Sequence, residues 1–300
     1  MRILITGANG LLGQKIVEQV VSEGKHELLA TSKGTNRNKV LSGYAYQSLD
    51  ITDKQAVVEL VLKFKPDAVI NTAAMTNVDQ CEQEKEACWQ ANVVAVENLI
   101  EACEIINSHL IHLSTDFVFD GASGPYREED VPAPLSYYGE SKFEAEKRVQ
   151  GSRLKKWAIA RTIIVYGVGH QLSRGNIVFW VKQMLTDGKE ITIVDDQFRS
   201  PTLAEDLANG CLLIAEKGAG GIYHLSGPES LSIYELACTV ANFYGLHKGL
   251  IKPVKTGEFS QPAKRPLRTG FIIDKAKKEL GYQPKTINQA LSYLESKGLI

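Results

Sequence analysis

The sequence predicts an α/β protein: a doubly wound parallel sheet, with a smaller α+β part forming a lid over the sheet's C-terminal edge. Three observations predict it. Strand and helix patterns alternate through the first half, the sequence form of a parallel sheet with helices on both faces. A glycine run, Gly7-Ala8-Asn9-Gly10-Leu11-Leu12-Gly13, joins the first strand to the first helix. Beyond Gly167 the alternation weakens, so residues 1–167 read as one domain and 168–300 as mainly the lid, with some segments returning to the sheet.

Arg2 to Thr6 reads as the first strand and Leu11 to Ser22 as the first helix. Glu27 to Thr31 is the second strand and Ala45 to Leu49 a short third. Asp53 to Lys63 is helical and ends before Lys65-Pro66, because a residue before proline is pushed out of the helical region. Asp67 to Ala74 is the fourth strand, Glu82 to Ile106 one long helical region, and His109 to Ser114 the fifth strand. A helix over Tyr137 to Gln150 and a strand over Trp157 to Thr162 complete the first half. The lid carries helices at Asn176 to Thr186 and Leu203 to Glu216 and strands at Ile191 to Val194 and Ile222 to Leu225. Ser232 N-caps a further helix, and helices around Asp274 to Leu280 and Ile287 to Ser296 close the chain. The loop Gly121 to Pro134, rich in glycine, proline and acids, reads as an active-site flap.

Net charge is −1, from 34 basic and 35 acidic residues, so no basic field draws in a nucleic acid or an anionic membrane. No apolar run reaches the roughly 20 residues that span a bilayer, and the chain enters a strand directly after Met1, so the expected location is cytoplasmic. The five cysteines are odd in number and form no Cys-x-x-Cys pair; reduced thiols are expected. No His-x-x-x-His pair occurs, and no catalytic metal is expected. A homodimer stays open.

The glycines of the first turn let backbone approach a pyrophosphate, whose charge then lies at the positive end of the helix starting near Leu11. Gly7, Asn9, Gly10, Leu11, Leu12 and Gly13 are therefore candidate dinucleotide ligands. After the second strand, where an acid would accept from a ribose 2′-hydroxyl, the chain runs Thr31-Ser32-Lys33-Gly34-Thr35-Asn36-Arg37. Cations there suit a 2′-phosphate, so Lys33 and Arg37 favour NADP, with NAD left open. Asp50 and Ile51 would approach the adenine, and the small Ala73 and Ala74 leave room for the nicotinamide half. Tyr138 and Lys142 stand four apart on one helix face, where an ammonium can lower a phenol's pKa and ready it to protonate a carbonyl oxygen. Thr115, ending the fifth strand, can align that carbonyl.

On these residues the chain resembles the extended short-chain dehydrogenase/reductases, and within them the dTDP-4-dehydrorhamnose reductases. The likeness spans nearly all 300 residues. It rests on Gly7 to Gly13, Asn71 to Asp79, Asn92, Leu113 to Gly121, Pro125-Tyr126, Pro132 to Pro134, Tyr138 to Lys142, Arg161-Thr162, Tyr166-Gly167, Ser200 to Thr202, Asp206 to Ala208 and Arg265-Pro266. The resemblance implies an NADP-dependent oxidoreductase acting on a nucleotide-linked sugar, with Thr115, Tyr138 and Lys142 catalytic and Asn92 at the cofactor site. It implies a substrate site from Met75, Thr115, Asp116, Tyr138, Tyr166, Arg199 and Arg265, with Arg199 or Arg265 recognising the diphosphate. Two positions depart from the family pattern: Ile164 replaces a usual tryptophan, and Arg199 a common glycine. The segment Tyr126 to Pro134 also resembles the regulatory β subunit of methionine adenosyltransferase.

Overall fold

A computed structural model describes residues 1–172, 175–258 and 261–299. Seven parallel strands form the central sheet: β1 (Arg2–Thr6), β2 (Glu27–Ser32), β3 (Ala45–Ser48), β4 (Ala68–Asn71), β5 (His109–Thr115), β6 (Trp157–Thr162) and, from far along the chain, the edge strand Gly221–His224. From one edge the order is β3-β2-β1-β4-β5-β6 and then Gly221–His224. The strand order reverses between β1 and β4, which opens a crevice beyond their C-terminal ends.

Strand alternation decides which helices cover which face. Ile3 and Ile5 of β1, Ala68 and Ile70 of β4, and Ile111 and Leu113 of β5 enter one core; Leu4, Val69 and Leu110 enter the other. Each such aliphatic side chain contributes roughly 1.5–3 kcal/mol on burial, so a one-residue slip in register would invert both cores. Against the second core lie α2 (Lys54–Phe64) and α5 (Ala95–Ile106), both entered after α1 (Leu11–Glu23), which packs on the first.

The predicted continuous helix over Glu82 to Ile106 is divided. It comprises the end of α3 (Val78–Gln83), then α4 (Lys85–Trp89), a π-turn over Gln90–Val94, and α5. The wide turn carries Asn92, whose side chain takes over backbone bonding elsewhere, as described below; such turns recur where a helix serves a site. The helix α6 (Tyr137–Gln150) starts where predicted, capped by Ser136 Oγ accepting from Gly139 N–H at 3.2 Å.

Past Gly167 the chain builds a separate small core from α7 (Ile177–Thr186), α9 (Ile233–Phe243) and α10 (Ile287–Ser296), while α8 (Ala204–Lys217) returns to lie on α1 in the first core. Short strands, numbered in chain order, are β7 (Val165–Tyr166), β8 (Ile191–Val194), β9 (Phe198–Arg199), β10 (Thr202–Leu203), β11 (the edge strand Gly221–His224), β12 (Leu231–Ser232) and β13 (Ile251–Val254). The parallel pair β8–β13 includes a strand that periodicity did not predict, because Ile251-Lys252-Pro253-Val254 is too short to show a period. Among the described residues no helix is long and apolar enough to cross a membrane.

Candidate active site

A cleft of about 860 Å³ runs along the C-terminal ends of the strands. Gly7, Asn9 to Gly13, Lys33, Arg37, Asp50 and Ile51 line one end; Ala73, Ala74, Met75, Thr115, Asp116, Tyr138, Lys142 and Ile164 line the rest.

The glycine turn is fixed by contact. Gly7 has φ +71°, and a Cβ there would stand 2.7 Å from Ala73 N; a Cβ on Gly13 would stand 2.4 Å from Gly7 O. Only glycine allows β1, the turn and the start of α1 to pack this closely. The start of α1 has no side-chain cap and no acid in its first turn, so its N–H groups and positive end face the cleft unneutralised. These features fit a dinucleotide pyrophosphate. Asn9 organises the neighbouring loop: its amide donates to Thr35 O (2.9 Å) and its Oδ1 accepts from Arg37 N–H (2.8 Å). Lys33 forms an ion pair with Asp50 at 2.8 Å. Burial would raise the Asp50 carboxyl, but bonds from Lys33 and Thr52 hold it below its ordinary range, so its negative charge offsets Lys33. Arg37 is exposed at the same rim.

At the other end Thr115 closes β5 and Tyr138 opens α6, and both line the same stretch of the cleft, with the Thr115 hydroxyl near enough to act on the phenol. Phe117 meets the Tyr138 ring edge-on at 5.7 Å. Thr115 Oγ1 donates to Asp116 Oδ1 at 3.1 Å and accepts from Phe117 N–H at 3.2 Å. Burial raises the Tyr138 phenol, Thr115 lowers it somewhat, and Asp116 raises it further. The Lys142 amine donates to Leu113 O at 2.6 Å and lies 3.1 Å from His112 Nε2, so the hydrogen bonds it makes are to β5 and not to Tyr138. Burial brings Lys142 down to about 8, with Glu146 and Cys88 opposing that shift. Ser114 is among the residues that line the cleft, but its Oγ is itself buried and, among the described residues, has no partner.

Four residues expected at the site lie outside the cleft lining. Asn92 is buried and clamps the chain at Met75: its Oδ1 accepts from Met75 N–H (2.8 Å), and its amide donates to Met75 O (3.1 Å) and Ser141 Oγ (3.0 Å). Its effect on a ligand is therefore through Met75 and α6. Arg199, 2% exposed, donates to Pro266 O (2.6 Å) and Leu267 O (3.1 Å) and approaches Asp116 at 3.4 Å. Its charge is used inside the protein, since a diphosphate has no access to it. Arg265 is bound to Asp79 at 2.7 Å. Tyr166, 1% exposed, belongs to the core of the lid. Burial raises the Asp116 carboxyl, against the lowering effects of Arg199, Thr269 and Thr115.

Sequence reading missed His112, Asn71 and Ser114. The signal for His112 was a polar residue between the apolar pair Leu110-Ile111 and Leu113 in the middle of a buried strand. All five cysteines are free thiols. One surface group, Glu23, His26 and Glu216, brings three donor atoms within 4.8 Å of one another, and none of the three lines the cleft.

Comparison with known proteins agrees with this architecture. A family model described as the RmlD substrate binding domain matches residues 1–297. The dTDP-4-dehydrorhamnose reductase of Aggregatibacter actinomycetemcomitans is 34% identical, over 98% of each chain. Methionine adenosyltransferase 2 subunit beta of Bos taurus is 33% identical over 84% of this chain and 75% of that protein. The crystal structure of dTDP-4-dehydrorhamnose reductase from Bacillus anthracis in complex with NADP superposes with a TM-score of 0.84, 29% identity and 99% coverage of both chains. The match over nearly the whole chain and the shared doubly wound fold decide the family: the chain belongs to the RmlD substrate-binding-domain family, the NAD(P)-dependent dTDP-4-dehydrorhamnose reductase-like branch of the extended short-chain dehydrogenase/reductases.

Proposed function

We propose that the protein reduces the 4-keto group of a dTDP-linked 6-deoxysugar with NADPH, converting dTDP-4-dehydrorhamnose to dTDP-L-rhamnose. The observation that supports this most is that Thr115, Tyr138 and Lys142 line the same cleft as the uncapped start of α1. Similarity to the A. actinomycetemcomitans reductase supports the choice of sugar, and the B. anthracis complex the choice of cofactor.

When bound, the nicotinamide supplies the hydride. The glycine turn and α1 would hold the pyrophosphate, Arg37 and Lys33 the adenosine end, and Ala73 and Ala74 the backbone path to the nicotinamide. Tyr138 gives its phenolic proton to the carbonyl oxygen as negative charge develops there. Thr115 aligns the carbonyl with Tyr138, and Lys142 supplies positive charge. A neutral, buried phenol is a suitable proton donor, since it holds its proton until an alkoxide forms beside it. Without a tryptophan at position 164, Ile164 and Met75 supply the apolar contact to the sugar or base.

The test is to supply dTDP-4-dehydro-β-L-rhamnose with NADPH and detect dTDP-L-rhamnose by chromatography, in parallel with the UDP-linked analogue and with no sugar. Turnover of the thymidine substrate supports the reading. Turnover of another sugar nucleotide keeps the reductase and replaces the substrate. Tight NADP binding with no turnover favours a regulatory subunit of the methionine adenosyltransferase type, the second reading that the bovine relative supports.

A further inference from the structure

Behind Lys142 lies a row of buried polar groups that the reduction itself does not call on. Lys142 Nζ is 3.1 Å from His112 Nε2; His112 Nδ1 is 3.1 Å from the Asn71 amide nitrogen; and the Thr6 hydroxyl donates to Asn71 Oδ1 at 2.5 Å. All four are buried, Lys142 being 3% exposed and His112 fully enclosed. They come from four elements, β1, β4, β5 and α6, and meet because His112 alternates with Ile111 and Leu113 and so points to the α6 face of the sheet.

The arithmetic of donors gives the row its meaning. An ammonium has three N–H bonds and no acceptor. One goes to Leu113 O, one can go to His112 Nε2, and one is left for the cleft. A neutral imidazole has one donor and one acceptor nitrogen. When Lys142 is protonated, Nε2 must accept, so Nδ1–H donates to an Asn71 amide turned with its oxygen toward the ring. When Lys142 is neutral, Nε2–H donates to the amine, Nδ1 accepts from the Asn71 NH₂, and Asn71 Oδ1 accepts from Thr6. The second arrangement has the amide orientation seen here. The two differ by one tautomer change and one amide turn, which brings the Asn71 NH₂ to the Thr6 oxygen in place of Oδ1. The other titratable groups facing Lys142 are Tyr138 and Glu146, one turn away on either side along α6, and Cys88 from α4; none of these offers the same exchange.

We propose that His112 is a positioning residue for Lys142: it holds the amine with one N–H directed at the cleft, and its tautomer changes in step with the amine's protonation. The proton that leaves Lys142 passes to a hydroxyl or water in the cleft, and returns the same way. Only the rate measurements below rest on the reductase reading; the spectroscopic ones do not.

Two measurements test it. In the unaltered protein, lysine labelled at ¹³Cε and histidine labelled with ¹⁵N are followed by NMR through a pH titration without substrate. The expected result is that the protonated nitrogen of His112 exchanges from Nδ1 to Nε2 over the interval in which Lys142 titrates. A single His112 tautomer throughout that interval overturns the proposal, whatever the protein turns out to reduce. The second uses His112→Leu and His112→Gln. Loss of the acceptor should lower the Lys142 midpoint by about one unit, with a loss of rate of about tenfold at pH above both midpoints and little change well below them. Glutamine, whose side-chain oxygen can accept from the ammonium, should restore most of the shift. Equal Lys142 midpoints in the parent and the leucine variant overturn the proposal. If the leucine variant does not fold, the titration of the unaltered protein decides alone. Absence of turnover in the parent overturns the reductase reading and leaves the NMR result standing.

Discussion

The Arg161 guanidinium and the Glu146 carboxylate meet in a buried two-pronged ion pair, Nε to Oε1 at 2.9 Å and Nη2 to Oε2 at 2.7 Å, with side chains 2% and 0% exposed. It ties α6 to β6 one turn beyond Lys142, so the face bearing Tyr138 and Lys142 is held against the sheet by a bond neither of them makes. A bidentate pair of this kind fixes direction as well as distance.

Replacing Glu146 by leucine leaves the guanidinium buried without its counter-charge. The expected cost is about 3–5 kcal/mol in unfolding free energy, and the double variant with Arg161→Met should recover much of it, because the desolvation of both charges is then avoided. Denaturant titration of both variants checks this. A double variant no more stable than Glu146→Leu would show that the pair contributes net stability.

Tyr138→Phe should lower the rate by roughly 10²- to 10⁴-fold and leave cofactor affinity nearly unchanged, because it removes the proton donor and little else. Steady-state rates with a cofactor titration measure both quantities. Activity within a few-fold of the parent would remove Tyr138 from the mechanism.

At the adenosine end the two cations are not equivalent. Lys33 is already neutralised by Asp50, whereas the Arg37 side chain is exposed at the rim. Arg37→Ala should therefore narrow the preference for NADPH over NADH more than Lys33→Ala does, by on the order of 1 kcal/mol. Fluorescence titration with both cofactors measures it, and a larger effect at Lys33 would reverse the assignment.

Acid stability follows from buried histidines. Burial, and the nearby Lys156, bring His109 down to about 4, and burial holds His112 and His224 well below the usual range. As pH falls below about 6.5 the unfolded chain takes up protons at these positions while the folded one does not, so stability falls with pH in that interval. For His109 alone the loss is about 3 kcal/mol by pH 4. His109→Gln should flatten the dependence between pH 6.5 and 4 in urea titrations, and an unchanged slope would exclude His109 as a contributor.

What the sequence made legible follows the range of the interaction. The glycine turn and the Tyr138–Lys142 spacing are local, and four residues on a helix mean the same thing in any fold. Arg199 looked like a cation for a ligand because its acceptors, Pro266 O and Leu267 O, lie more than sixty residues away. Tyr166 and Arg265 misled for the same reason, one drawn into the lid core and the other to Asp79. Asn92 was expected at the cofactor, whereas its side chain holds the Met75 backbone. His112 was passed over because a histidine on a buried strand is indistinguishable from core until its neighbours across the sheet are known.

The pairing of β11 with β6, and of α8 with α1, has a consequence for synthesis. Both partners arise after residue 203, so when the ribosome has released the first 167 residues the edge of β6 is unpaired and the apolar face of α1 is uncovered. At about 5–20 residues per second, some seconds pass before Gly221–His224 emerges. During that interval the nascent chain presents a strand edge able to pair with another copy. A chaperone that covers this edge for those seconds competes directly with such pairing.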